Sequence, residues 1–173
     1  RYFHTGTWNA ATIDPGSWGL EFMSHITYQG IRNANIFMEN VDKSPFSENE
    51  KNSMKAEARF LRALMHFDLM QRLGGISIVD HVLSVSSIDD VEGVKIPRST
   101  YAQTVDFIVS ECEEAAKYLP NVYEDTKYLG RIVKGAALAL KARVLLYAAS
   151  PLFNDPEGKT YVPVNDPVLR ELI

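Results

Sequence analysis

The chain has 173 residues, of which 46% are apolar and 23% charged, a balance that suits one compact domain or a piece of a larger protein and excludes a disordered or collagen-like chain. Its 18 basic and 22 acidic residues leave a net charge of −4, so no positive excess is present to bind a phosphate backbone, and nucleic acid is excluded as a partner. The single cysteine, Cys112, rules out an intrachain disulfide framework. No stretch reaches the roughly 18 to 20 consecutive apolar residues that cross a bilayer, and the opening RYFHTGTWNA has neither the basic nor the apolar region of a secretory signal. The expectation is a single helical domain over residues 1–173, cut from a longer protein, with any targeting segment upstream.

Helical periodicity dominates the chain. From Trp18 to Val41, apolar residues at Trp18, Phe22, Ile26, Ile31, Ala34, Met38 and Val41 recur in steps of three to five, predicting one long amphipathic helix or two with a break near Gly30, capped by Ser17. A second helix is predicted from Glu48 to Leu73, with Phe60, Ala63, Leu64 and Phe67 on one face and Leu61 and Met65 widening it. Gly74-Gly75 ends it, since glycine tolerates the left-handed turn at a helix C-terminus. Ile76–Val79 and Val82–Val85 then read as short extended pieces in a long connection. The third helix opens at Pro97-Arg98-Ser99-Thr100 and carries the cleanest stripe, Tyr101, Val105, Ile108, Cys112, Ala115 and Leu119, before Pro120 stops it. A fourth follows the polar loop 121–130, with Val133, Ala137, Leu140, Val144 and Tyr147 on one face, and a further helix is possible from Val168.

Two of these helices resemble each other. At an offset of 79 residues, KAEARFLRALMHFD (55–68) aligns with KGAALALKARVLLY (134–147), matching Lys55 with Lys134, Ala58 with Ala137, Leu61 with Leu140 and Ala63 with Ala142. Each would be the second helix of an antiparallel pair, and small residues at these steps let a neighbour approach closely, as in stacked helix-hairpin repeats. The predicted fold class is therefore all-α, with hairpins at about 18–73 and 99–149 joined by long irregular connections.

Three blocks, YQGIRNANIFMENV (28–41), KAEARFLRALMHFDLMQRLGGISIV (55–79) and KGAALALKARVLLYAASPLFND (134–155), resemble the SusD/RagB family in order and spacing. That resemblance implies tetratricopeptide-like helices in a lipid-anchored outer-membrane protein that binds a glycan or other nutrient and caps a SusC-type TonB-dependent transporter. The chain departs from the family after the paired glycines, where Ile76 is followed by Ser77 and not by proline. The anchoring cysteine implied by the resemblance lies upstream of this chain, and the internal, helical Cys112 cannot replace it. The implied function is surface capture of an oligosaccharide or polysaccharide for uptake. The alternative is a tetratricopeptide-like protein-interaction scaffold without glycan binding.

Aromatic side chains on loops are the natural platform for a pyranose ring, with neighbouring amides for its hydroxyls. Trp8 and Asn9, near Tyr2 and His4 and outside any helical stripe, form the best such group; the competing reading packs Trp8 against the helices. Trp18 begins a stripe and is expected in the core. Arg59 and Arg62 are expected to pair with carboxylates such as Glu57 or Asp68, or to cover apolar surface. Glu111, Glu113 and Glu114 read as a solvated acidic face, and His66 beside Phe67 as a hydrogen-bonded interior residue. His4, His25, His66 and His81 have no metal-ligating spacing, and Tyr123 with Lys127 fits the Y-x-x-x-K spacing of short-chain dehydrogenases without the glycine-rich turn that chemistry needs. No catalytic residue, metal site or cofactor is predicted.

Overall fold

The computed structural model describes residues 25–84 and 94–153. Four long helices, α1 (His25–Asn40), α2 (Glu48–Leu73), α3 (Tyr101–Tyr118) and α4 (Lys134–Ala148), make up the fold, and the described residues contain no strand. All four predicted helices are present. The predicted start of the first at Ser17 and Trp18, and the further helix from Val168, lie outside the described residues.

Local chemistry sets the helix boundaries. Ser47 and Glu50 form a reciprocal capping box at the start of α2, and Thr100 with Gln103 repeats it at α3, each satisfying amides that have no partner in the first turn. At the end of α2, Gly74 takes φ 74°, and the Arg98 guanidinium donates to the carbonyls of Leu73 and Gly75. A cation thus sits where the helix leaves its carbonyls unpaired. Gly75 has a different role. A Cβ there would stand 2.2 Å from the Ser99 carbonyl oxygen, so the backbone entering α3 can pass this close only to a residue without a side chain.

Consecutive helices pack antiparallel. Along α1 and α2, Ile31 meets Leu69 in a small core. Gly30 brings Met65 so near that an added Cβ would lie 2.7 Å from its sulfur. This close approach accounts for a glycine inside α1, which runs unbroken through it. Between α2 and α3, Phe67 and Met70 pack near Tyr101 and Val105, and Ala56 packs near Ala115 and Leu119. Across α3 and α4, Leu140 and Val144 join the same core while Ala137 joins the cluster at the other end. Every member of the α3 stripe read from the sequence is buried.

The α2 stripe needs correction. Phe67 and Ala63 are buried, but Leu64 and Leu61 are exposed and Phe60 is half-buried. The inward face is built from Ala56, Ala63, Phe67 and Met70 towards α3, and from Ala58 and Leu69 towards α1. Alanine occupies the close contacts, and a pattern search weighted towards large residues places the stripe too far round the helix.

One polar atom in this core lacks a partner. The Tyr101 ring stacks on Phe153, centroids 4.4 Å apart, and its hydroxyl is buried without a hydrogen bond among the described residues; the same burial raises its pKa. Removing an unsatisfied buried hydroxyl relieves a desolvation penalty of about 1–3 kcal/mol. Tyr101→Phe is therefore expected to leave stability unchanged or raise it by about 1 kcal/mol, read as the urea midpoint. A clear loss would show that the hydroxyl has a partner.

Candidate functional site

The extended pieces 76–79 and 82–84 belong to no sheet, so their backbone groups need partners from side chains. A buried polar cluster supplies them. Arg62, on the inner side of α2, donates from Nε and Nη2 to Glu111 Oε2 of α3 at 2.8 and 2.5 Å, and from Nη1 to Asn35 Oδ1 of α1 and the Asp80 carbonyl, both at 2.6 Å. Arg59 adds a bond to Glu111 Oε1 at 2.7 Å. Asn35 Nδ2 donates onward to the carbonyls of Val79 and His81 at 3.2 and 2.9 Å. Three helices and the connection are tied through one guanidinium.

His66 completes the cluster one turn along α2. Its Nδ1–H donates to the Arg62 carbonyl at 2.8 Å, and Nε2 accepts the Val79 amide at 3.3 Å, an arrangement that only the neutral ring can make. Burial holds its pKa down to about 4, with the Arg62 charge acting in the same direction. The Phe107 ring meets it edge-on at 4.9 Å.

A groove of about 520 Å³ runs between the outer faces of α1 and α2. Phe37, Met54, Leu61 and Met65 supply its apolar lining, with Phe37 43% and Leu61 41% exposed. Asn33, Glu57 and Arg131 supply its polar part. Glu57 is held there by Arg131 at 2.8 Å and by the Tyr123 hydroxyl, which donates to it at 2.6 Å. The Arg131 guanidinium lies over both Tyr123 and Tyr128, 5.2 and 5.1 Å from the ring centroids.

The predicted site residues Trp8, Asn9, Tyr2 and His4 lie outside the described residues, as does Trp18. Two predicted pairings are corrected. Arg59 and Arg62 pair with Glu111, whereas Asp68 pairs with Arg72 and Glu57 with Arg131. Glu111 is accordingly a buried carboxylate; of the acidic trio only Glu113 and Glu114 face outward. Its place in the stripe, three residues after Ile108 and four before Ala115, was the available signal.

The remaining chemical candidates have structural partners. Burial, with the Tyr123 hydroxyl bonded to Glu57, raises the Tyr123 pKa, the reverse of what a catalytic phenolate requires, and Lys127 pairs with Asp125 at 2.8 Å. Burial pushes the Cys112 thiol up to about 12, with the Glu111 and Glu113 carboxylates adding to it. Among the described residues no cluster of His, Cys, Asp and Glu could hold a metal ion, and no helix is long and apolar enough to cross a membrane.

Stacked antiparallel helices pinned by a buried ion cluster define an all-α scaffold of helix hairpins. Over residues 2–146 the sequence matches the SusD-like family described as starch-binding and associating with the outer membrane, and the chain belongs to that family. A SusD-like protein of Formosa agariphila is 30% identical over 120 residues, covering 69% of this chain and 22% of that protein. The crystal structure of a SusD-like protein from Bacteroides fragilis aligns with a TM-score of 0.63 at 37% identity, over 70% of this chain and 23% of its own. A laminarin-binding SusD-like protein aligns with a TM-score of 0.67 at 25% identity, over 80% of this chain and 29% of its own. The chain thus spans less than about a third of the length of these relatives.

Proposed function

We propose that the chain is the helical part of a lipid-anchored surface protein that captures an oligosaccharide or polysaccharide and hands it to a SusC-type TonB-dependent transporter. Family membership across residues 2–146, with a laminarin-binding protein among the similar structures, carries this reading. Residues 1–173 act as a single helical domain within the longer protein. Binding alone is the chemistry: the sugar is held by ring stacking and hydroxyl hydrogen bonds, and no covalent bond is made or broken. Trp8 is the stacking platform, with Asn9, Tyr2 and His4 supplying polar contacts.

Calorimetric titration of the full-length protein with laminarin and a panel of other polysaccharides tests this. Trp8→Ala should weaken binding of the best ligand by roughly thirtyfold, about 2 kcal/mol, with an unchanged melting temperature. Equal affinities for parent and variant would remove Trp8 from the site. The exposed apolar lining of the α1–α2 groove favours a second reading, a protein-interaction scaffold. That reading would stand alone if the folded full-length protein bound no polysaccharide yet co-purified with the transporter.

A further inference from the structure

Each residue from 79 to 83, in the connection after α2, has a backbone group bonded to a side chain of α1 or α2. The Val79 amide donates to His66 and its carbonyl accepts from Asn35. The Asp80 carbonyl accepts from Arg62 and the His81 carbonyl from Asn35. The Val82 amide donates to Glu39 at 3.2 Å, and the Leu83 carbonyl accepts from Arg32 at 2.6 Å. Burial accounts for the bonds to Val79, but residues 80–83 are exposed or half-buried, where water serves backbone groups equally well. What the bonds add is a single fixed conformation. A binding surface gains from that, because a ligand then meets groups that need no further ordering.

Between this segment and α1 lies a pocket of about 360 Å³, within the range of roughly 300–1,000 Å³ usual for small-ligand sites. Tyr28, Val79 and Leu83 give it apolar lining, and Gln29, Arg32 and His81 give it polar lining. The Tyr28 ring is held in place by its hydroxyl, which donates to the Ser77 carbonyl at 3.0 Å. Arg32 is exposed, and apart from its bond to Leu83 it has no carboxylate or carbonyl partner among the described residues. The exposed Gln29 side chain makes no hydrogen bond among them. His81, whose neutral ring donates from Nδ1 to Asp80 at 2.6 Å, accepts at Nε2.

This lining selects among ligands. Donors and acceptors are mixed, since Arg32 supplies N–H groups, Gln29 supplies both kinds and His81 accepts. Positive charge is not in excess, because the Asp80 and Glu39 carboxylates are bound to the same segment and would repel an anion. A wholly apolar ligand would strip water from Arg32 and Gln29 and put nothing in its place. An uncharged ring with hydroxyls at its edge and C–H groups on its face matches both linings. We propose that this pocket is a subsite for one neutral sugar unit of the glycan, in addition to the Trp8 group, with Gln29 and Arg32 bonding its hydroxyls and Tyr28, Val79 and Leu83 meeting its apolar face. The subsite rests on the glycan-capture reading above and adds to it a place on α1 and a class of sugar.

Calorimetric titration of the full-length protein tests this, with laminarin, starch and xylan as neutral polysaccharides and alginate as an acidic one. The parent should bind at least one neutral member. Gln29→Ala should weaken that binding by about fivefold and Arg32→Ala by about thirtyfold, as for the loss of one neutral and one charged hydrogen bond. Gln29→Ala should also keep the parent's melting temperature, because that side chain holds nothing in the fold; Arg32→Ala frees the Leu83 carbonyl as well. Parent affinity in Gln29→Ala would overturn the subsite, whatever Arg32→Ala does, and would leave the glycan reading standing. Binding of alginate and of no neutral polysaccharide would overturn the neutral-sugar assignment alone. A folded parent that bound none of the four would overturn the glycan reading and the subsite with it.

Discussion

Arg62→Met is expected to lower folding stability by about 3–5 kcal/mol, because it leaves Glu111 buried with only one of its two cationic partners and strips the Asp80 carbonyl and Asn35 of a donor. Arg59 tempers the loss. It still reaches Glu111, but its side chain is about a third exposed, so its attraction is partly screened by solvent. Glu111→Leu should also destabilise, since Arg62 would then be a buried cation facing only neutral acceptors. Replacing both, as Arg62→Met with Glu111→Leu, should recover part of the loss, because neither charge then remains buried alone. Urea midpoints for the four proteins form a double-mutant cycle that isolates the coupling. A loss below about 1 kcal/mol for Arg62→Met would show that the cluster is solvated and the pair carries little.

The position of this pair separates what the sequence made legible from what it did not. Helix existence and boundaries follow local rules, and α2 and α3 begin and end where capping residues, paired glycines and proline place them. The repeat between α2 and α4 was legible for the same reason, since it is a pattern along one chain. Pairing between elements was not. Glu111 lies 49 residues from Arg62 along the chain, and nothing local distinguishes it from Glu113 or Glu114 except its phase on the helix. Asn35 and Asp80 were invisible for a further reason. They act through amide and carbonyl groups on an extended segment that lacks a sheet, a need that exists only once the helices are packed. The outward position of Leu61 and Leu64 is similar, because burial on α2 is decided by which small residues its two neighbours can approach. The proposed sugar platform at Trp8 rests on residue type and on its place outside the helical periodicity of the sequence, and Trp8 lies outside the described residues.

Acid should weaken the fold in a window set by His66. The ring is fully buried and neutral, donating to the Arg62 carbonyl and accepting from the Val79 amide, and its pKa is held at about 4 against an ordinary value of 6.5. A histidine whose folded pKa is depressed binds its proton more readily when unfolded, so its contribution to stability is complete above pH 6.5 and is lost as the pH falls to about 4. Across that window the loss amounts to about 3 kcal/mol, since each tenfold difference in proton affinity between the folded and unfolded chain is worth about 1.36 kcal/mol. The physical event is specific. A proton on Nε2 removes the acceptor for the Val79 amide and puts a second cation beside Arg62, so one of the bonds that tie the connection 76–84 to α2 is lost. Asp80 lies nearby and favours the protonated ring, but it is a smaller influence than burial. His66→Gln, which keeps a neutral acceptor near the Val79 amide, should start less stable at pH 7 because the ring contact with Phe107 is lost. Between pH 6.5 and 4.5 its stability should change far less than that of the parent. Urea unfolding at half-unit pH intervals for both proteins checks this, and parallel curves over that range would remove His66 as the source of the acid sensitivity.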